Sequence, residues 1–187
     1  MDVFSLFILI LVALSGASIV FYTLENGISP SPTGGKVKRQ LFDVLADLPT
    51  PANVHELGSG WGTLAIPIAT MFPDAKVTGT ENSIVPYLAS RIRTIFSGSP
   101  NLSIRWTNFF NVDLSDADLI VVYQSPGNMS DLRPKFENEL SDQCIVVSNT
   151  FAVPGWTPTD THQADDLFKT RIYVYHVGKA KPLRPAD

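Results

Sequence analysis

The chain opens on an apolar block and then changes to alternating runs. Residues 3–24 carry no charged side chain. At 1.5 Å per residue, a helix of that length reaches about 30 Å, the thickness of a bilayer core. Residues 26–35 follow, with two prolines and three glycines. This composition reads as a flexible linker, with a coil reach of about 15–20 Å. In 36–48 the apolar positions Val37, Leu41, Val44, Leu45 and Leu48 fall at helical spacing, which predicts an amphipathic helix. Pro49 and Pro51 end it.

Strand-like and helix-like runs then alternate. Strands are expected at 52–57, 76–80, 102–106, 118–123 and 144–148. Helices are expected at 62–71, 84–96 and 130–140, and only a short link, 107–117, joins the third strand to the fourth. Pro67, Pro86 and Pro134 fall near the expected helix starts, where a missing N–H matters least. Such alternation predicts a Rossmann-like α/β fold, a doubly wound and mostly parallel sheet. A last strand is expected at 171–177, with an antiparallel hairpin partner within 156–166.

The domain reading is therefore a transmembrane anchor at 1–24, a linker at 25–35 and a catalytic domain at 36–187. A cleaved signal peptide would carry a basic start and a shorter apolar core. Here the start carries Asp2 and no Lys or Arg. Ala13-Leu14-Ser15 and Ser15-Gly16-Ala17 offer small-residue sites, yet an uncleaved single-pass anchor fits better. Lys36, Lys38 and Arg39 follow the span and nothing basic precedes it. The positive-inside rule then puts the domain on the cytosolic side, or on the matrix side in a mitochondrion.

Charge and cysteine content narrow the chemistry. With 187 residues, a net charge of −4 and a pI near 5.3, the chain lacks the basic face of a general nucleic-acid binder. Its single cysteine, Cys144, sits in an apolar run and reads as a buried structural thiol. The three histidines have no metal-ligand spacing, so no metal is expected.

The densest candidate chemistry lies in Val54-His55-Glu56-Leu57-Gly58-Ser59-Gly60-Trp61-Gly62. An apolar run ends in Glu56, and glycines follow at alternate positions. Glycine permits positive φ and close approach of a ligand. A helix opening just afterwards would add free N–H groups and partial positive charge. The dinucleotide fingerprint needs G-x-G-x-x-G, and Thr63 holds its third-glycine position here. A second carboxylate, Glu81, ends the next strand about 20 residues on, where an acid accepts hydrogen bonds from ribose hydroxyls. The competing reading of the glycines is an ordinary turn, and that of Glu81 a helix cap near Asn82 and Ser83.

E-x-G-x-G-x-G after a strand resembles motif I of the class I S-adenosylmethionine-dependent methyltransferases. The resemblance implies S-adenosyl-L-methionine as cofactor and a terminal hairpin on the sheet. It implies Glu56 at the methionine part, Gly58, Ser59, Gly60 and Gly62 making room, and Glu81 with Asn82 at the ribose. More narrowly, the chain is similar to the small single-pass membrane protein-lysine methyltransferases. Mitochondrial members of that group modify the adenine nucleotide translocase and the ATP synthase c-subunit. The apolar span, Pro32-Thr33 before a basic helix start, and Val146-Val147-Ser148-Asn149-Thr150-Phe151 followed by Pro154-Gly155-Trp156 carry that likeness. Two positions depart from it. Trp61 stands where the family commonly has an acid, and Asn108 replaces an acid near the adenine. Asn108 and Phe109 remain the implied adenine contacts, with Trp106 and Phe110 as further pocket walls or plain core.

Methyl transfer from a sulfonium is an in-line displacement that needs alignment and no covalent nucleophile. A lysine acceptor must arrive neutral, so a polar or acidic group should help it shed a proton. Tyr123, Gln124, Ser125 and Asn149 lie at the carboxyl ends of strands, and Thr33 joins them if the linker folds over. Tyr123, Asn149 and Thr33 are the catalytic candidates; capping or loop roles compete for each. The expected function is N-methylation of a membrane-protein lysine. The alternatives are a lipid or small-molecule acceptor, and a non-catalytic cofactor-binding module.

Overall fold

The computed structural model describes residues 2–181. Met1 of the expected anchor and 182–187 of the expected catalytic domain lie outside the described residues. The first element is the helix α1 (Val3–Asn26), closed by Gly27 in the left-handed conformation. It runs two residues past the apolar block, because Gly27 is the first residue suited to that cap. The amphipathic helix α2 (Gly35–Ala46) follows and buries Val37, Leu41, Val44 and Leu45.

The domain continues as β1 (Asn53–Leu57), α3 (Ala65–Met71), β2 (Lys76–Glu81), α4 (Ile84–Ser97), β3 (Leu102–Trp106), β4 (Leu119–Val122), α5 (Pro126–Glu139), β5 (Ile145–Asn149), β6 (Asp160–Gln163), β7 (Arg171–His176) and α6 (Val177–Ala180). The strands form one seven-stranded sheet in the order β3-β2-β1-β4-β5-β7-β6. β1 to β5 pair in parallel, and β7 pairs antiparallel with both β5 and β6. This is the Rossmann-like fold with a terminal antiparallel hairpin. The central strands β4 and β5 are buried along their whole length, as parallel strands covered on both faces are. One core gathers Leu41, Val54, Ile68, Val77 and Val147 beneath α2 and α3. The other gathers Leu57, Ile120, Met129, Leu132, Phe136 and Trp156 beneath α5.

Three local expectations are corrected. The first crossover helix starts at Ala65, three residues late, because Gly62 has φ +71° and no α-helix continues through that value. α5 starts at Pro126, four residues early. Ser125 caps it by accepting from the Asn128 amide, and Pro126 takes the first helical position. Pro134 therefore lies in the helix interior, where its ring removes one backbone bond. The segment after α1 is also no free coil. The Trp61 indole N–H donates to the Pro30 carbonyl, so this segment lies over the sheet's carboxyl end.

Candidate active site

A cleft opens at the carboxyl ends of the strands, where ligands sit in open α/β sheets. Its floor is Glu56, Gly58, Ser59 and Gly60, and one wall is Glu81, Asn82 and Phe109. The opposite wall is Tyr123 and Gln124, and the roof is the linker from Ile28 to Thr33. Gly62, Asn108 and Asn149 do not line it.

The turn after β1 is fixed from within. Gly58 and Ser59 both donate to the Thr80 carbonyl, at 3.0 and 2.8 Å. Gly60 donates to one Glu81 carboxylate oxygen at 2.7 Å, and Ser83 donates to the other at 2.7 Å. The turn thus contributes space more than free amide donors, a different use from the one its sequence suggests. The three glycines differ in turn. A Cβ on Gly60 would meet no protein atom within 4 Å and would project into open space. One on Gly58 would stand 2.0 Å from the Gln124 amide nitrogen, and one on Gly62 would press on Ser90. Gly62 therefore serves packing of the turn against α4.

Gln124 holds its place by donating to the Leu57 carbonyl and accepting from Asn128. Asn128 and Ser125 both donate to the Asn26 carbonyl, at 3.0 and 3.2 Å. The end of α1 is thereby bolted to the rim of the cleft. Trp61, at the position expected to be acidic, pins the roof. Thr33 in that roof accepts from the Asn149 side chain at 3.5 Å. Thr150 beside it is held at φ +72°, an uncommon value for a β-branched residue. The Tyr123 and Phe151 rings stack with centroids 6.3 Å apart and planes within 7°. Tyr123 and Thr33 thus line the cleft, and Asn149, outside it, holds Thr33.

Asn108 is placed otherwise. Its side-chain oxygen accepts from the Phe110 amide and caps a short 3-10 turn. Phe110 packs against the second core, and Trp106 stacks on Tyr87 at the surface. Sequence reasoning passed over Asn26, Asn128 and Gly79. Gly79 had a readable signal, since glycine inside a strand marks close approach. A Cβ there would stand 2.2 Å from the Ser59 hydroxyl.

Residues 56–160, more than half of the chain, match the ANTKMT methyltransferase domain. The chain belongs to this family. A protein-lysine N-methyltransferase of Saccharolobus islandicus (strain REY15A) is 31% identical over 154 residues, spanning 80% of this chain and 94% of the relative. Among solved structures, an RNA methyltransferase from Salinibacter ruber in complex with S-adenosyl-L-homocysteine is similar at 26% identity and TM-score 0.71. It covers 84% of this chain and 100% of its own. The B. subtilis tRNA methyltransferase TrmK, at 15% identity and TM-score 0.60, covers 73% of this chain and 64% of its own and shares the fold alone.

This methyltransferase uses S-adenosyl-L-methionine as its cofactor. Two buried atoms test whether the cleft suits such a ligand. One Glu56 carboxylate oxygen and the neighbouring Ser59 hydroxyl are buried with no hydrogen-bond partner other than each other. Buried polar atoms are ordinarily paired, so a set with no outside partner beside a cleft marks where a ligand belongs. Burial, with the Glu81 charge nearby as a lesser cause, pushes the Glu56 carboxyl up to about 8. A cationic ligand would return it to the ionised form. The accepting carboxylates of Glu56 and Glu81 fit an ammonium-bearing ligand with hydroxyls, which S-adenosyl-L-methionine is.

Proposed function

We propose that this methyltransferase transfers a methyl group to a lysine of a membrane protein, with its cofactor in the cleft beneath the linker. The buried Glu56 oxygen in the cleft floor, with no partner beyond Ser59, carries the reading. Glu56 and Ser59 would take the methionine end, the open space at Gly60 would admit the chain, and Glu81 with Asn82 would face the ribose. Phe109 would flank the adenine.

S-adenosyl-L-methionine supplies a sulfonium methyl group for in-line displacement. The chain's own part is to orient and dehydrate. The linker roof and the Tyr123–Phe151 stack keep water from the reacting end. Tyr123 and Thr33 line the cleft and would face an incoming amine, with Asn149 positioning Thr33. Their oxygens would accept from the N–H groups of the amine and hold its lone pair toward the methyl, once the amine has lost its proton to solvent. Lysine as acceptor rests on the Saccharolobus relative, whose name states that chemistry.

We take α1 as an uncleaved single-pass anchor. It is 24 residues long and has a mean hydropathy of 2.7 over its most apolar window. Basic residues after it favour the cytosolic or matrix side for the domain. A tethered site is concentrated near acceptors embedded in the same bilayer.

Native membranes incubated with methyl-labelled cofactor, with and without the protein, test this. The expected product is label recovered as methyl-lysine in an integral membrane protein. Label confined to the lipid extract or to RNA would contradict the reading.

A further inference from the structure

The helix α4 is built inside out. Its fully buried positions are Pro86 and Ser90. Its exposed positions include Ile84, Leu88, Ile92, Ile95 and Phe96, the last two 72% and 83% exposed. These recur at three- and four-residue spacing, so they form one stripe along the outer face. Trp106, 58% exposed, extends the patch from β3. A helix serving only the domain would turn those side chains to the sheet. Of α4, only Tyr87 packs against the larger core.

What lies beside the stripe identifies its occupant. α1 runs against α4. Its half-buried positions, Ile19, Tyr22 and Asn26 among them, keep helical spacing, while the rest of its surface is exposed and, apart from Ser5 and Glu25, free of polar side chains. Asn26 and Asn82 exchange side-chain hydrogen bonds of 3.0 and 2.8 Å, which ties the end of α1 to the turn that opens α4. The stripe thus continues the apolar surface of the anchor. Arg91 and Arg93 are exposed on its two edges and form no ion pair among the described residues. An apolar face with a cation on either side is the pattern of a helix lying in a membrane interface, its guanidinium groups reaching lipid phosphates.

We infer that α4 is a second membrane contact, seated in the interface of an anionic bilayer beside α1. The inference rests on the reading of α1 as a membrane anchor. It adds an orientation that one flexible tether would not give. α4 begins directly after Glu81-Asn82-Ser83, on the rim of the cleft. Seating it therefore fixes the height and tilt of the cleft above the bilayer, and so which lysines reach it.

The test uses the full chain in vesicles of phosphatidylcholine with phosphatidylglycerol. Nitroxide labels are attached at Ile92→Cys and Ile95→Cys, with Ile10→Cys in α1 and Asp131→Cys on α5 as references. Cys144 is buried and does not compete for label. The measured quantity is the ratio of collisions with oxygen to collisions with a water-soluble nickel complex. The expected result is a ratio several-fold higher at 92 and 95 than at 131, approaching that at 10. A high ratio at 10 with water-like values at 92 and 95 overturns this inference and leaves the anchor intact. Water-like values at all four sites overturn both. Labels at 92 and 95 shielded from both reagents and dipolar-coupled to a second copy overturn the lipid contact and give the face to self-association.

Discussion

At the scale of single residues, Glu56 sets the pH behaviour. Its carboxyl has a folded value of about 8 against an ordinary 4.5. A raised carboxyl binds its proton more tightly in the folded state. Its contribution to stability is therefore whole below 4.5 and lost as the pH rises toward 8. The ligand's ammonium group should reverse the preference. Cofactor binding is then expected to release about one proton at neutral pH and to tighten as pH rises through this window. Calorimetry in buffers of differing ionisation enthalpy measures that proton, and Glu56→Gln should abolish it. Glu81 holds the turn as well as facing the cleft. Glu81→Ala leaves the Gly60 and Ser83 amides without their acceptor, so stability should fall by about 1–3 kcal/mol together with affinity. An affinity loss with unchanged unfolding would show that the turn does not depend on it. The carboxylate pair was legible because acids at strand ends beside glycines are rare without a use. The separate tasks of Gly58, Gly60 and Gly62 were not, since spacing says nothing of what a missing Cβ makes room for.

Among the elements, strands were read more closely than helix starts. Buried parallel strands announce themselves as unbroken Val, Ile and Leu runs such as Leu119–Val122. Helix starts depend on caps, and Ser125-Pro126-Gly127 looks like a loop until its hydrogen bonds are known. Ser125 has two duties, capping α5 and donating to the Asn26 carbonyl. Ser125→Ala should therefore cost about 1 kcal/mol from the lost cap, and proteolysis at the 27–34 segment should quicken. Unaltered cleavage there would show that α1 is held by Asn128 and Asn82 alone. The outward apolar face of α4 was hidden in its periodicity, because a helical period does not say which side the domain covers.

For the molecule as a whole, the apolar block, the linker and the alternating domain were all visible in the hydropathy pattern. Their joining was not. Asn26, Trp61 and Gln124 link distant segments through side-chain bonds that no local pattern encodes, and they convert a spacer into a roof. Deletion of residues 1–24 should leave cofactor binding intact and slow methylation of the acceptor in membranes. Equal rates at equal total concentration would remove any catalytic role for the tether. The central claim is that the glycine turn and its roof enclose the cofactor. Titration of the full-length protein in detergent with S-adenosyl-L-methionine, wild type against Gly60→Val, tests it most directly. The variant strains the turn by about 1–2 kcal/mol, since φ there is +51°, and its fold is checked by circular dichroism. The account predicts one-to-one binding by the wild type and none by the folded variant, whose side chain would occupy the cleft. Unchanged affinity in the folded variant would contradict it.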